Sequence, residues 1–244
     1  MVKHVGLALL AALLWLSSPH AKAAIAIDAK LTVTCDGAAV FTPNTCTGPT
    51  VTAAATAVVV TIVINDTANP YSTCTYNSFA MHLAVSSLTG GTGVQIWYAT
   101  TADGTLTGAQ TISCAFGGGS SQNFHMFVVS FTGTAVGGAF ASGLHTANAL
   151  ACTSPQTVPS VSGNAAIDAC GSTDSPGTPT QTLLVSNTSG VNALVSSWGQ
   201  SAGATVSFGW VGSGTNAWAA LDMPVPGSGG GGVPSKLLLM GVGQ

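Results

Sequence analysis

The chain contains no glutamate and no arginine. Its charged residues are four lysines and seven aspartates in 244 positions, and two of the lysines, Lys3 and Lys22, precede residue 24. Surface helices draw on long charged side chains for helix propensity and for i,i+4 pairing, so this chain has little to build them from. Threonine, valine and glycine are plentiful instead, which favours strands and turns. Solubility must rest on Ser, Thr, Asn, Gln and Gly. The expected fold class is all-β.

Met1 to Val5 is a short basic start, Gly6 to Leu16 an unbroken apolar run, and Ala21-Lys22-Ala23 a small-x-small site. This pattern predicts a secretory signal peptide over 1–23, with the mature protein secreted to the cell surface or beyond. As a helix, the apolar run would reach about half way across a bilayer, so no membrane span is expected. Residues 24–226 suffice for one hydrophobic core. Residues 227–244 read as a Gly-rich linker and a short apolar tail, with Leu237 to Met240 as an added strand or a docking segment.

An exported chain sees an oxidising compartment, so an even cysteine count reads as disulfides. The six are Cys35, Cys46, Cys74, Cys114, Cys152 and Cys170. Nearest neighbours suggest Cys35–Cys46, Cys74–Cys114 and Cys152–Cys170, and spacing alone leaves other pairings open. No pair has CxxC spacing, which argues against metal ligation.

The run Ala57 to Ile64 has the length and β-branching of a strand buried on both faces. Further strands are expected at Ala29–Cys35, Thr75–Ser86, Val94–Thr100, Gln110–Phe116, Phe124–Thr132, Ala165–Cys170, Gln181–Ser186, Gly203–Trp210 and Thr215–Met223. The segment after Cys35 reads as turn-rich, and 133–159 as loop with short strands. In TVSFGW, Val206, Phe208 and Trp210 share a face and need a core. Short strands between Gly, Pro, Asn and Asp point to a two-sheet antiparallel β-sandwich.

Three passages carry a resemblance: Thr75-Tyr76-Asn77-Ser78-Phe79-Ala80-Met81, then Gln95-Ile96-Trp97-Tyr98-Ala99, then Thr205 to Trp210 with Trp218-Ala219-Ala220. They resemble poorly characterised bacterial and phage-associated extracellular β-sandwich domains of the concanavalin-like or jelly-roll kind, over about residues 55–225. The chain departs from that pattern at Ser78, where Gly is usual, and in its cysteines. The resemblance implies a fold and an extracellular setting, often as a module of surface or fibre proteins. It carries no catalytic or binding residue.

Two isolated lysines after residue 23 exclude a nucleic-acid groove. GGTG at 90–93 and GGGS at 117–120 are hairpin-like turns without nucleotide-loop spacing. A glycosidase needs two carboxylates, and no two aspartates share a strand at i, i+2 spacing, which leaves only a cross-strand pair. Asp66, Asp103 and Asp174 sit in turn contexts where Asp caps its own backbone. His82, His125 and His145 are scattered, with no HExxH. No cofactor and no metal ligand set is assigned; calcium on turn aspartates and carbonyls would suit the fold, but no dense Asp/Asn loop signals it.

The binding candidates are His82 and Trp97. In FAMHLAV, His82 faces opposite to Phe79, Met81, Leu83 and Val85, on the open side of its sheet. Trp97 shares a face with Gln95, and a polar neighbour leaves room for an exposed ring. If the two strands are neighbours, the pair makes a ligand patch; the alternative is Trp97 buried against the second sheet. The leading functional reading is a secreted, non-catalytic structural or adhesive module whose partner is a glycan or another surface or fibre protein. The alternatives are a carbohydrate-binding module or lectin and, behind it, an Asp-dependent secreted hydrolase.

Overall fold

The computed structural model describes residues 24–39, 43–65, 71–89, 91–116, 122–142, 146–149, 152, 156–172, 177–188, 193–210 and 216–227. The expected signal peptide, Asp66, His145, Asp174, the GGGS segment expected as a turn, and residues beyond Gly227 lie outside the described residues. All-β holds: one short helix, α1 (Gly137–Ser142), accompanies seventeen strands among the described residues.

Four antiparallel sheets account for the strands, stacked face to face. The first central sheet contains β1 (Ala26–Lys30), β2 (Cys35–Ala39), β4 (Ala57–Ile64), β7 (His82–Thr89), β8 (Thr92–Thr100) and β10 (Gln122–Thr132). Its order is β1-β10-β4-β8-β7, with β2 paired to the other half of β10. One face is covered by a sheet of β3 (Asn44–Val51), β9 (Gly108–Phe116), β5 (Tyr71–Tyr76) and β6 (Phe79–Ala80), in that order. The second central sheet runs β11 (Thr146–Ala149), β17 (Asn216–Met223), β13 (Ala165–Ser172), β15 (Ala193–Gln200) and β14 (Thr182–Asn187). A two-stranded sheet of β12 (Gln156–Pro159) and β16 (Thr205–Phe208) covers its outer face. The expected sandwich is the central pair; the two covering sheets are additional layers.

Three cores follow from strand alternation. Val59, Val63, Ile96, Phe127 and Val129 meet Ile167, Ala169 and Leu221 between the central sheets. Val58, Val60, Ile62, Trp97 and Val128 meet Tyr71, Tyr76 and Ile112 under the first cover. Ala166, Val195, Trp218 and Ala220 meet Val158, Val206, Phe208 and Trp210 under the second. β4 therefore buries both faces, as its AVVVTIVI run predicts, and each Val or Ile side chain contributes roughly 2 kcal/mol. β13 also buries both faces with small residues. A Cβ added at Gly171 would meet Thr92, Val63 and Val94 at 2.8–2.9 Å, so glycine there permits the close approach of the central sheets.

The three disulfides are Cys35–Cys46, Cys74–Cys114 and Cys152–Cys170, and no described cysteine is free. Such a set belongs to an oxidising, extracellular-type environment. Cys74 and Cys114 are direct cross-strand partners on β5 and β9. Cys35–Cys46 joins the first central sheet to its cover, and Cys152–Cys170 ties a turn residue ahead of β12 to β13.

Several strand expectations need correction. The first strand does not run Ala29–Cys35: β1 ends at Lys30 and β2 starts at Cys35, because β10 is long enough to pair with both in succession. The turn-rich reading after Cys35 misses β2 and β3, which hold their place through the Cys35–Cys46 bridge and pairing to β10 and β9. Thr75–Ser86 is three elements: β5 and β6 form a hairpin over Asn77 and Ser78, and β7 belongs to a different sheet. Asn77 and Ser78 have φ of 46° and 71°, the left-handed pair of a type I′ turn, a conformation that favours glycine at the second position. β15, with its run of serines, was not expected at all.

Candidate functional site

His82 and Trp97 lie on neighbouring strands but do not make a common patch. His82 pairs with Tyr98, and Leu83 with Trp97, so the imidazole and the indole point to opposite faces of the first central sheet. Trp97 is 3% exposed, under the first cover. Its polar neighbour Gln95 is buried too: the Gln95 side chain accepts from Tyr71 N at 3.0 Å and donates to Tyr71 O at 3.1 Å. The amide thus completes the backbone pairing of a covering strand, and a polar residue beside Trp97 did not mean an open face. A register shift between Leu83 and Val85 breaks the expected alternation, leaving Leu83 exposed and Val85 buried.

His82 is exposed because β7 is the edge strand, but the shift places it on the same face as Val85 and Tyr98 rather than opposite to Val85 as the alternation predicts. Its ring stacks on Tyr98, and its Nε2 lies 2.8 Å from Asp103 Oδ1. Asp103 Oδ2 accepts from Thr100 N and Thr100 Oγ1, which is the turn-capping role read from the sequence. Burial raises the Asp103 carboxyl, but the bonds from His82 and Thr100 outweigh it and hold the pKa below the ordinary value. Among the described residues every tyrosine and tryptophan is buried except Trp198, which is half-buried.

The second central sheet does bring two carboxylates to one face. Asp168 on β13 is paired with Ala220, and Asp222 on β17 with Ala166. They are diagonal neighbours, roughly 7–8 Å apart at their backbones. This is the cross-strand pair that two-carboxylate hydrolysis needs, yet both are fully buried. Asp168 Oδ1 accepts from Ser197 N and Ser197 Oγ, and Oδ2 from the indoles of Trp210 and Trp218 at 2.8 and 2.9 Å. Asp222 accepts from Ser160 Oγ and Asn164 Nδ2. Burial pushes the Asp168 pKa up to about 6, against the lowering pull of these donors. Asp28 is a similar tie nearer the surface: its bonds from Thr52 and Ser130 outweigh burial and lower its pKa.

The remaining described carboxylate borders a cleft. Asp36 Oδ1 lies 2.8 Å from His125 Nδ1 and accepts from Thr34 Oγ1, and Asp36 Oδ2 accepts from Asn187 Nδ2 at 2.8 Å. His125 is 4% exposed, and its Nε2 has no hydrogen-bond partner. In front of this network is a cleft of about 260 Å³, walled by Thr32, Val33 and Asp36 on one side and Val185, Ser186 and Asn187 on the other. Sequence reasoning missed it because its walls are about 150 residues apart (Asn187 bonds Asp36 across a separation of 151) and come from different sheets.

No family model, curated protein or solved structure matches the chain. Among the described residues no group of His, Cys and Asp could hold a metal ion. No described helix is long and apolar enough to cross a membrane.

Proposed function

We propose that the protein is an exported, non-catalytic β-sheet module with a structural or adhesive role. The observation that carries this reading is the state of the carboxylates. All five described aspartates accept hydrogen bonds from the fold's own donors, and the only two diagonal to each other are sealed from water. A general acid needs contact with a leaving group, and the sealed pair, Asp168 and Asp222, has none.

The outer surface supports the same reading. None of the four strands of the first covering sheet carries a charged residue, and Thr45, Thr47, Thr73 and Thr111 are exposed along it. Hydroxyls and methyls in a regular sheet suit broad contact with a partner surface. The likeness of three sequence passages to extracellular surface and fibre modules is part of this proposal, as is secretion.

The test has two arms. Residues 1–23 fused to a reporter enzyme that folds only outside the cytoplasm should give an active reporter; an inactive one overturns export. Wild-type protein assayed on glycoside and ester substrates should give no turnover. Turnover that an Asp→Asn substitution abolishes would make the protein an enzyme and overturn the reading.

A further inference from the structure

The cleft beside Asp36 is built by segments that have no need of a ligand to meet. At one end Lys30 Nζ donates to Leu184 O at 2.8 Å, and at the other Asn187 Nδ2 donates to Asp36. Cys35–Cys46 ties the first wall to the covering sheet. A guest therefore does not have to order the walls, which removes part of the usual cost of binding.

The lining chemistry selects the guest. No cationic side chain lines the cleft, and the ammonium of nearby Lys30 is engaged by a carbonyl, so an anion finds no counter-charge. A carboxylate offers about four acceptor sites, and three on Asp36 are taken by Thr34, His125 and Asn187. One remaining acceptor does not hold a hard cation, which takes about six to eight oxygens. What remains is that single acceptor on Oδ2, the exposed residues Thr32 and Ser186, and the exposed Val33 with the largely buried Val185 beside it. Val33 is 70% exposed, an uncovered apolar surface beside polar groups. A neutral ring with hydroxyls on its rim and C–H bonds on its faces matches this set. The volume, about 260 Å³, lies just below the range of drug-sized pockets, which fits one ring rather than a chain.

We infer that this cleft binds a single neutral sugar residue, the end or branch of a glycan, through Asp36, Thr32 and Ser186 and through aliphatic rather than aromatic contact. One hydroxyl of the ring donates to Asp36 Oδ2, others exchange hydrogen bonds with Thr32 and Ser186, and a ring face lies against the valines. The site goes beyond the non-catalytic reading and does not depend on it.

Saturation-transfer NMR on the secreted protein tests this with millimolar glucose, galactose, mannose, fucose and N-acetylglucosamine. Calcium chloride, methylamine and inorganic phosphate, followed by chemical-shift changes, serve as cation and anion probes. At least one sugar should bind. Val33→Trp fills the cleft from an exposed position, and Ser186→Val removes a hydroxyl without touching the Asp36 network. Each should weaken binding about tenfold or more, with melting unchanged. Should Val33→Trp fail to fold, Ser186→Val decides. Binding of none of the sugars, sugar binding that survives these substitutions, or binding of only calcium, methylamine or phosphate overturns the inference. Those failures leave the non-catalytic reading standing, whereas hydrolysis of a bound methyl glycoside would overturn that reading and keep the site.

Discussion

The covering sheet made from residues 44–116 is tied down by sulfur and a side-chain amide, whereas the one made from residues 156–208 is tied down by two buried carboxylates. Under the first, Cys35–Cys46 links β2 to β3, Cys74–Cys114 links β5 to β9, and Gln95 pairs with the Tyr71 backbone. The rest of that interface is aliphatic and aromatic. Under the second, Asp168 gathers Ser197, Trp210 and Trp218, Asp222 gathers Ser160 and Asn164, and one disulfide joins Cys152 to Cys170. The size of the covers accounts for the difference. Two strands of four residues bury too little apolar surface to stay put alone. Several donors converging on one carboxylate add directional bonds that such a small sheet cannot supply from its own core. Breaking a buried carboxylate cluster costs more than its net worth, because the partners are left unsatisfied.

The sharpest way to break this comparison is Asp168→Leu. It strands two buried indole N–H groups and the Ser197 donors, for an expected loss of about 5 kcal/mol. Urea unfolding checks the total, and hydrogen exchange should show protection lost first in β12, β16 and β17. A stability change below about 1 kcal/mol would mean the carboxylate is not the tie.

The matching change in the other half is Cys74→Ala with Cys114→Ala. Closing a loop with sequence separation 40 is worth about 4 kcal/mol in the chain-entropy account. The loss should appear as extra exchange in β5 and β9, with the second cover unaffected. If the second cover loosens equally, the two halves do not respond separately.

A smaller effect is pH dependence. The folded Asp168 pKa, about 6, stands above the ordinary carboxyl value of 3.8, so its favourable contribution is complete below about pH 4 and is lost as pH rises through 6. Two units correspond to about 3 kcal/mol. Asp28 and Asp103 act oppositely: their pKa values are lowered, so their contribution holds above pH 3.8 and is lost as pH falls through the folded values. Stability should peak at roughly pH 4–5 and decline towards pH 7. Asp168→Asn should flatten that decline, measured by melting across pH, and an unchanged slope would assign it to another group.

The smallest predicted effect is a gain. Ser78→Gly relieves a left-handed backbone at the β5–β6 turn and should stabilise the first half by about 1 kcal/mol. A loss on this substitution would show that the Ser78 side chain contributes more than its backbone costs.

Much of the first half was readable residue by residue. The β-branched run of β4, the alternation in β8 and the apolar β10 say strand whatever they pack on, and the nearest-neighbour disulfides agree with the structure. The second half was less legible. β15 reads ALVSSWGQ, and its buried Ser196 and Ser197 look like loop residues until Asp168, 28 and 29 positions earlier, supplies their partners.

Composition set the broad outcome by itself: without Glu or Arg the chain has little charged side chain to support surface helices, and its Thr, Val and Gly favour strand and turn, with one six-residue helix described. What only the tertiary structure decided is which side of each sheet meets solvent. Alternation shows that a strand has two faces, but not whether one, both or neither is covered. A buried polar residue such as Gln95, Asp168 or Asp222 is indistinguishable in sequence from a solvated one, because its partners come from distant positions. The cleft beside Asp36 was hidden for the same reason: its walls meet only when two sheet edges are stacked.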